Sequence, residues 1–256
     1  MGLMSQREGA GSDAVAERSD ESALFPLDGV GPFVGLEVAG FASAVVSVPM
    51  GSRRRRPVVV AAHGNYDTPE SQCEIWRVIV GNGAFVLCPR GIARGDSPSR
   101  RDLRYEYASN RLLEKEIDAG VDALRLMFAE HVDDGPMLFA GFSLGAIMGV
   151  AIITRRPERY PRAVLIEGGA RLWNASSARA YGLGGGQRVL FACGQWDCDS
   201  ESAEARRVLD KHGVVASTVF SRGEGHTYGG GVAGRIMDAL GWVVEGDARW
   251  QIGGGD

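Results

Sequence analysis

Short, continuously apolar runs alternate with helical stretches through most of this chain, and that alternation restricts the fold more than any other feature. Pro57-Val-Val-Val-Ala-Ala62 is uniformly apolar, as suits a strand buried on both faces of a parallel sheet. Ala84 to Cys88, Met137 to Ala140, Ala163 to Ile166, Arg188 to Ala192 and Val214 to Phe220 read the same way. Between them lie segments with helical signals. Glu70 to Val80 is preceded by Thr68 as N-cap and Pro69 at the first position, a normal helix start. Arg111 to Glu130 carries Leu112, Ile117, Val121, Leu124 and Phe128 at helical spacing, one apolar stripe. Leu144 to Thr154, Glu201 to His212 and Val232 to Val244 complete the series. Such a series predicts βαβ units: an α/β fold whose central sheet is mostly parallel, with helices on both faces. Val34 to Val38 and Ser43 to Val48, joined by a turn at Gly40, add an antiparallel edge.

The chain has 256 residues, 45% of them apolar, enough for one two-faced core. We expect a single domain over residues 26–250, and disorder over residues 1–25, which are small, polar and have little to bury. Net charge is -4, so no polybasic surface argues for nucleic acid or an anionic membrane; the basic run Arg53 to Arg56 reads as a solvated turn. No apolar stretch approaches the ~20 residues that span a bilayer. Met1 to Glu21 lacks the apolar core of a signal peptide, so the expected compartment is the cytoplasm. Four cysteines without C-x-x-C spacing and four scattered histidines make neither a disulfide scaffold nor a zinc cluster, and no metal or cofactor is expected. Cys193 and Cys198 flank Asp197 and could pair in an exported protein. Oligomeric state is not readable.

Four short segments carry chemistry. Gly141-Phe142-Ser143-Leu144-Gly145 fits G-x-S-x-G between an apolar strand and a helix, the context a nucleophile elbow requires. The serine must sit on a tight turn, and glycine two residues to either side removes a Cβ that would clash. The helix opening at Leu144 aims free N–H groups at the site. His63-Gly64-Asn65-Tyr66 follows the strand ending at Ala62; this loop supplies one oxyanion N–H and the residue after the nucleophile the other. Asn65 and Leu144 are thus the expected donors, with Tyr66 beside them on the substrate side and His63 structural. Gly194-Gln195-Trp196-Asp197 ends another strand, so Asp197 is the first choice for an orienting acid; Asp199 and Glu167, at the end of the preceding strand, compete with it. Gly223-Glu224-Gly225-His226 follows the last strand and comes last in the order Ser, acid, His, which makes His226 the expected base.

These segments, in this order, resemble the α/β-hydrolase superfamily over roughly residues 57 to 245. Pro89-Arg90-Gly91 through Gly95-Asp96-Ser97 is also similar to a loop of that family. The resemblance implies a single-domain α/β-hydrolase fold and a serine hydrolase that cleaves small-molecule carboxylic esters through an acyl-enzyme. Ser143 would be nucleophile, His226 base and Asp197 acid. The same residues would suit a thioesterase or small-peptide hydrolase, and the fold alone would suit a catalytically silent binding module. The oxyanion loop lacks the triple glycine of hormone-sensitive-lipase relatives. Serine as nucleophile departs from the dehalogenase, epoxide-hydrolase and dienelactone-hydrolase branches. Only about twenty residues separate Glu167 from Arg188, too few for a large inserted cap.

Overall fold

A computed structural model describes residues 24–27, 29 and 31–250 of the chain. The expected disorder of the first residues falls outside the described part up to residue 23. Leu24 and Phe25 are in contact with the body: Leu24 N–H donates to Arg53 O and the Phe25 carbonyl faces His131 Nε2.

The strands are β1 (Phe33–Leu36), β2 (Ala44–Ser47), β3 (Val58–Ala62), β4 (Phe85–Cys88), β5 (Ile92–Ala93), β6 (Tyr105–Glu106), β7 (Leu138–Phe142), β8 (Arg162–Ile166), β9 (Arg188–Cys193) and β10 (Val215–Phe220). The helices are α1 (Pro69–Val80), α2 (Asn110–Met127), α3 (Leu144–Arg155), α4 (Ala175–Leu183), α5 (Trp196–Asp210) and α6 (Gly230–Val243). Eight strands form one sheet in the order β1-β2-β4-β3-β7-β8-β9-β10. In this sheet the pairs β1–β2 and β2–β4 are antiparallel; β4, β3, β7, β8, β9 and β10 pair in parallel. The expected antiparallel edge and parallel centre are both present.

Alternation along each strand feeds two cores. Val58, Val60 and Ala62 of β3 pack into the layer of α2, α3, α4 and α5, with Leu113, Ile117, Val150, Tyr181 and Leu209. Val59 and Ala61 face the opposite layer, where Trp76 and Ile79 of α1 meet Ile236 and Leu240 of α6. A sheet covered on both faces explains why these strands read as unbroken apolar runs. Parallel connections bring the carboxyl ends of β3, β7, β8, β9 and β10 to one edge, and the candidate residues lie in the loops leaving that edge.

Three local features were not legible in the sequence. Residues 89–106 fold back as the antiparallel pair β5–β6 rather than a plain loop. Helix α5 starts at Trp196, five residues ahead of the expected Glu201. The Cys73–Cys88 disulfide joins α1 to β4; the second, Cys193–Cys198, between the end of β9 and the first turn of α5, is the pairing the sequence left open.

Candidate active site

Ser143 leaves β7 with φ 49° and ψ -111° and serves as the N-cap of α3. This left-handed backbone is costly for a residue with a Cβ, and the neighbouring glycines show what enforces it. A Cβ on Gly141 would come within 2.7 Å of the Ala146 backbone. One on Gly145 would strike the Ala62 carbonyl oxygen, so the helix start presses against the end of β3. Ser143 N–H donates to Ile166 O at 2.8 Å, fastening the turn to β8.

The loop after β3 lies directly on this turn. A Cβ on Gly64 would sit 2.8 Å from the Phe142 ring and 3.4 Å from Ser143 Cβ. The adjoining Asn65 is exposed, and its Oδ1 accepts from Arg94 Nη1 at 2.9 Å. Among the described residues neither Asn65 N–H nor Leu144 N–H has a protein acceptor, so the two expected donors are unoccupied. Tyr66 has φ 62°. Its N–H donates to Tyr105 O and its hydroxyl to Asp96 O, while the Arg94 guanidinium lies over its ring. The β5–β6 hairpin therefore forms the wall behind the loop after β3. His63 is fully buried, its ring nitrogens facing the carbonyls of Gly64 and Arg90 at 2.7 and 2.9 Å. Burial pulls its pKa below the ordinary 6.5 despite those carbonyls, which fits a neutral structural histidine.

His226, in the loop from β10 to α6, packs its ring 5.0 Å from that of Phe142. Tyr228 packs at a tilt against the same ring, and its hydroxyl donates to Asp67 Oδ1 at 3.2 Å, tying this loop to the one after β3. No hydrogen bond joins Ser143 Oγ to His226 among the described residues; such bonds are commonly long before substrate binds.

The carboxylate beside His226 is that of Glu167. Its Oε2 lies 3.4 Å from His226 Nδ1 and its side chain is 1% exposed. Its Oε1 accepts the backbone N–H groups of Gly194 and Gln195. Asp197, the first choice in the sequence, makes no such contact: among the described residues no hydrogen bond or ion pair joins it to His226. Because α5 begins at Trp196, Asp197 is carried into the first turn of that helix, where it is exposed. Its charge complements the helix N-terminus there. Asp199 lies in the same turn. Glu167 directly follows β8, and its longer side chain crosses to the end of β9.

Among the described residues only Tyr66, Ser143 and Glu167 combine a side chain with positive φ, at 62°, 49° and 51°. Each such conformation costs about 1–3 kcal/mol and tends to persist at functional sites. Tyr66, expected beside the donors, is exposed, as is Trp196 at the start of α5, whereas Phe142 and Trp173 are buried in the body. Glu167, Cys193 and Cys198 bring three ligand-type atoms together, but both sulfurs are engaged in a disulfide and offer no thiolate.

No protein-family model matches the chain, and neither does any curated protein sequence. Solved structures do. The Thermus thermophilus protein TT1662 superposes with a TM-score of 0.59 at 19% identity, covering 83% of this chain and 98% of its own. A hyperthermophilic esterase from Pyrobaculum calidifontis gives 0.57 at 17% identity, covering 81% and 84%. The Bacillus cereus carboxylesterase gives 0.54 at 18% identity, covering 80% and 94%. The strand order, the strand-turn-helix at Ser143 and these superpositions agree: the chain has the α/β-hydrolase fold. Within the 167–188 connection stand only a 3-10 turn (Ala170–Leu172) and α4, with no cap domain. Among the described residues no helix is long and apolar enough to cross a membrane.

Proposed function

We propose that this chain is a serine hydrolase that cleaves carboxylic esters, with Ser143 as nucleophile, His226 as base and Glu167 as the acid that orients it. The reading rests chiefly on a serine held with positive φ at the sheet edge, beside a histidine whose Nδ1 meets a buried carboxylate. His226 Nε2 takes the Ser143 proton as Oγ attacks the ester carbonyl. Glu167 holds the imidazole with its proton on Nδ1 and stabilises the imidazolium. The N–H groups of Asn65 and Leu144 receive the developing oxyanion, where losing one donor typically costs about 3 kcal/mol. The alcohol leaves with the proton from His226, and water then cleaves the acyl-enzyme with His226 again as base. The esterase named among the similar structures and the B. cereus carboxylesterase support an ester as substrate.

Treatment with a fluorophosphonate separates this reading from a silent binding module. Covalent labelling is expected on Ser143, located by peptide mass; an unlabelled protein would exclude a serine hydrolase.

Substrate size follows from the missing cap. With only a 3-10 turn and α4 after Glu167, Ser143 is half-buried and long chains find little to cover them. Each buried methylene contributes about 0.8 kcal/mol only while apolar surface remains to bury it. On nitrophenyl esters kcat/KM is expected to peak between acetate and butyrate and fall by octanoate. A steady rise to dodecanoate would reveal an enclosed acyl channel instead. As to compartment, two disulfides suit an oxidising environment better than the cytoplasm.

A further inference from the structure

Gln195 occupies the N-cap of α5, yet its side chain makes no capping bond to that helix. Its Oε1 instead lies 3.3 Å from His226 Nδ1, the nitrogen that Glu167 Oε2 approaches at 3.4 Å. Through its backbone N–H, 3.0 Å from Glu167 Oε1, Gln195 also holds the acid. One residue thus touches both partners of the pair by separate groups. The local packing leads to this contact. A Cβ on Gly194 would strike the Gly225 carbonyl oxygen, so the loop leaving β9 and the loop before His226 lie one on the other. The Cys193–Cys198 disulfide spans the same turn.

We infer that Gln195 is a positioning residue, its side-chain amide oxygen sharing the His226 Nδ1 proton with Glu167 in a three-centre hydrogen bond. The inference rests on the triad reading above. Two oxygens at 3.3 and 3.4 Å are each longer than an optimal N–H···O bond, as expected when one donor is divided between two acceptors. An amide oxygen supports the imidazolium without adding negative charge. It also limits rotation of an imidazole that is otherwise 46% exposed and must keep Nε2 directed at Ser143. The other ionisable groups around the ring are accounted for. Tyr228 shares Phe142 with it and bonds to Asp67. Glu224 of the same loop lies where side chains on Gly230 and Gly231 would be. From α5, Asp197 and Asp199 sit in the first turn, and Arg222, in the loop after β10, lies over the Trp196 ring.

The test uses the full chain and the rate of Ser143 phosphonylation by a fluorophosphonate between pH 5 and 9, which requires no knowledge of the natural substrate. Gln195→Met keeps length and backbone but removes the acceptor; Gln195→Glu keeps an acceptor and adds charge. Gln195→Met is expected to slow labelling roughly five- to tenfold, the scale of one hydrogen bond, and to move the acid limb of the profile to lower pH. Gln195→Glu is expected to retain most of the rate and move that limb to higher pH. A merely structural residue would shift neither limb. Unchanged limbs in both variants, with normal labelling of the wild type, would overturn the inference and leave the serine hydrolase standing. A wild-type protein that does not label at all would remove both.

Discussion

Ser143→Ala is expected to lower ester turnover by on the order of 10⁶-fold, as complete loss of a nucleophile–base unit does. His226→Ala should cost nearly as much, and the double variant little more than either alone, because the two groups act in a single proton transfer. What survives would be the contribution of substrate binding and of the Asn65 and Leu144 N–H groups, roughly 10³–10⁴ over water. Neither change should disturb the fold. Ser143 is held at φ 49° by the contacts of Gly141 and Gly145 and by its N–H bond to Ile166, none of which involves the hydroxyl. His226 is about half exposed, and its ring packs at a tilt against that of Phe142. The decisive measurement is kcat/KM on a nitrophenyl ester for both singles and the double, with thermal unfolding alongside. Turnover near wild type in either single variant would remove that residue from the mechanism, and additive losses would show that Ser143 and His226 do not work as a pair.

The strand-turn-helix at Ser143 and the sheet were legible because they depend on patterns that physics imposes locally. Apolar runs such as Val58 to Ala62 are required by burial on two faces, and Gly141 and Gly145 by close backbone approach. The N-cap at Thr68 was readable for the same reason: a hydroxyl there satisfies a free N–H of the first turn, that of Ser71. The proposed acid was not readable in this way. Glu167 and Asp197 both follow apolar strands, and the choice between them turns on where α5 begins. The sequence Gly194-Gln195-Trp196 has no residue that caps with its side chain, so the helix start carried no signal, and reading it five residues late left Asp197 in a loop it does not occupy. Glu167-Gly168-Gly169 held the better clue. A Cβ on Gly168 would come within 2.8 Å of Ser143 O, so that glycine marks the approach of the loop after β8 to the elbow. Nor was the β5–β6 pair legible, since two-residue strands are too short for any periodicity.

Glu167→Gln is expected to reduce kcat about 10⁴-fold, the scale seen when an orienting carboxylate becomes an amide, whereas Asp197→Asn should stay within about twofold of wild type. The asymmetry follows from the hydrogen bonds. Glu167 Oε1 is committed to the N–H groups of Gly194 and Gln195, both donors, so a glutamine at 167 must place its carbonyl oxygen there. Its NH2 group then faces His226 Nδ1, and two donors cannot meet. Nδ1 would have to accept, moving the ring proton to Nε2, where the imidazole can no longer take the proton of Ser143. Thus the substitution would preserve shape while selecting the wrong tautomer, and thermal stability should change far less than rate. Glu167→Asp makes a different demand. One methylene shorter, the carboxylate cannot reach both the end of β9 and His226, so it should keep the right tautomer with weaker hold and lose less than the glutamine variant. Asp197, exposed in the first turn of α5, contributes only to the helix terminus, worth about 0.3–1 kcal/mol of stability. Measuring kcat for the two Glu167 variants beside Asp197→Asn orders them. If Asp197→Asn were the crippling change, the acid would have to come from α5, and the buried carboxylate at the end of β8 would be no more than a clasp on Gly194 and Gln195.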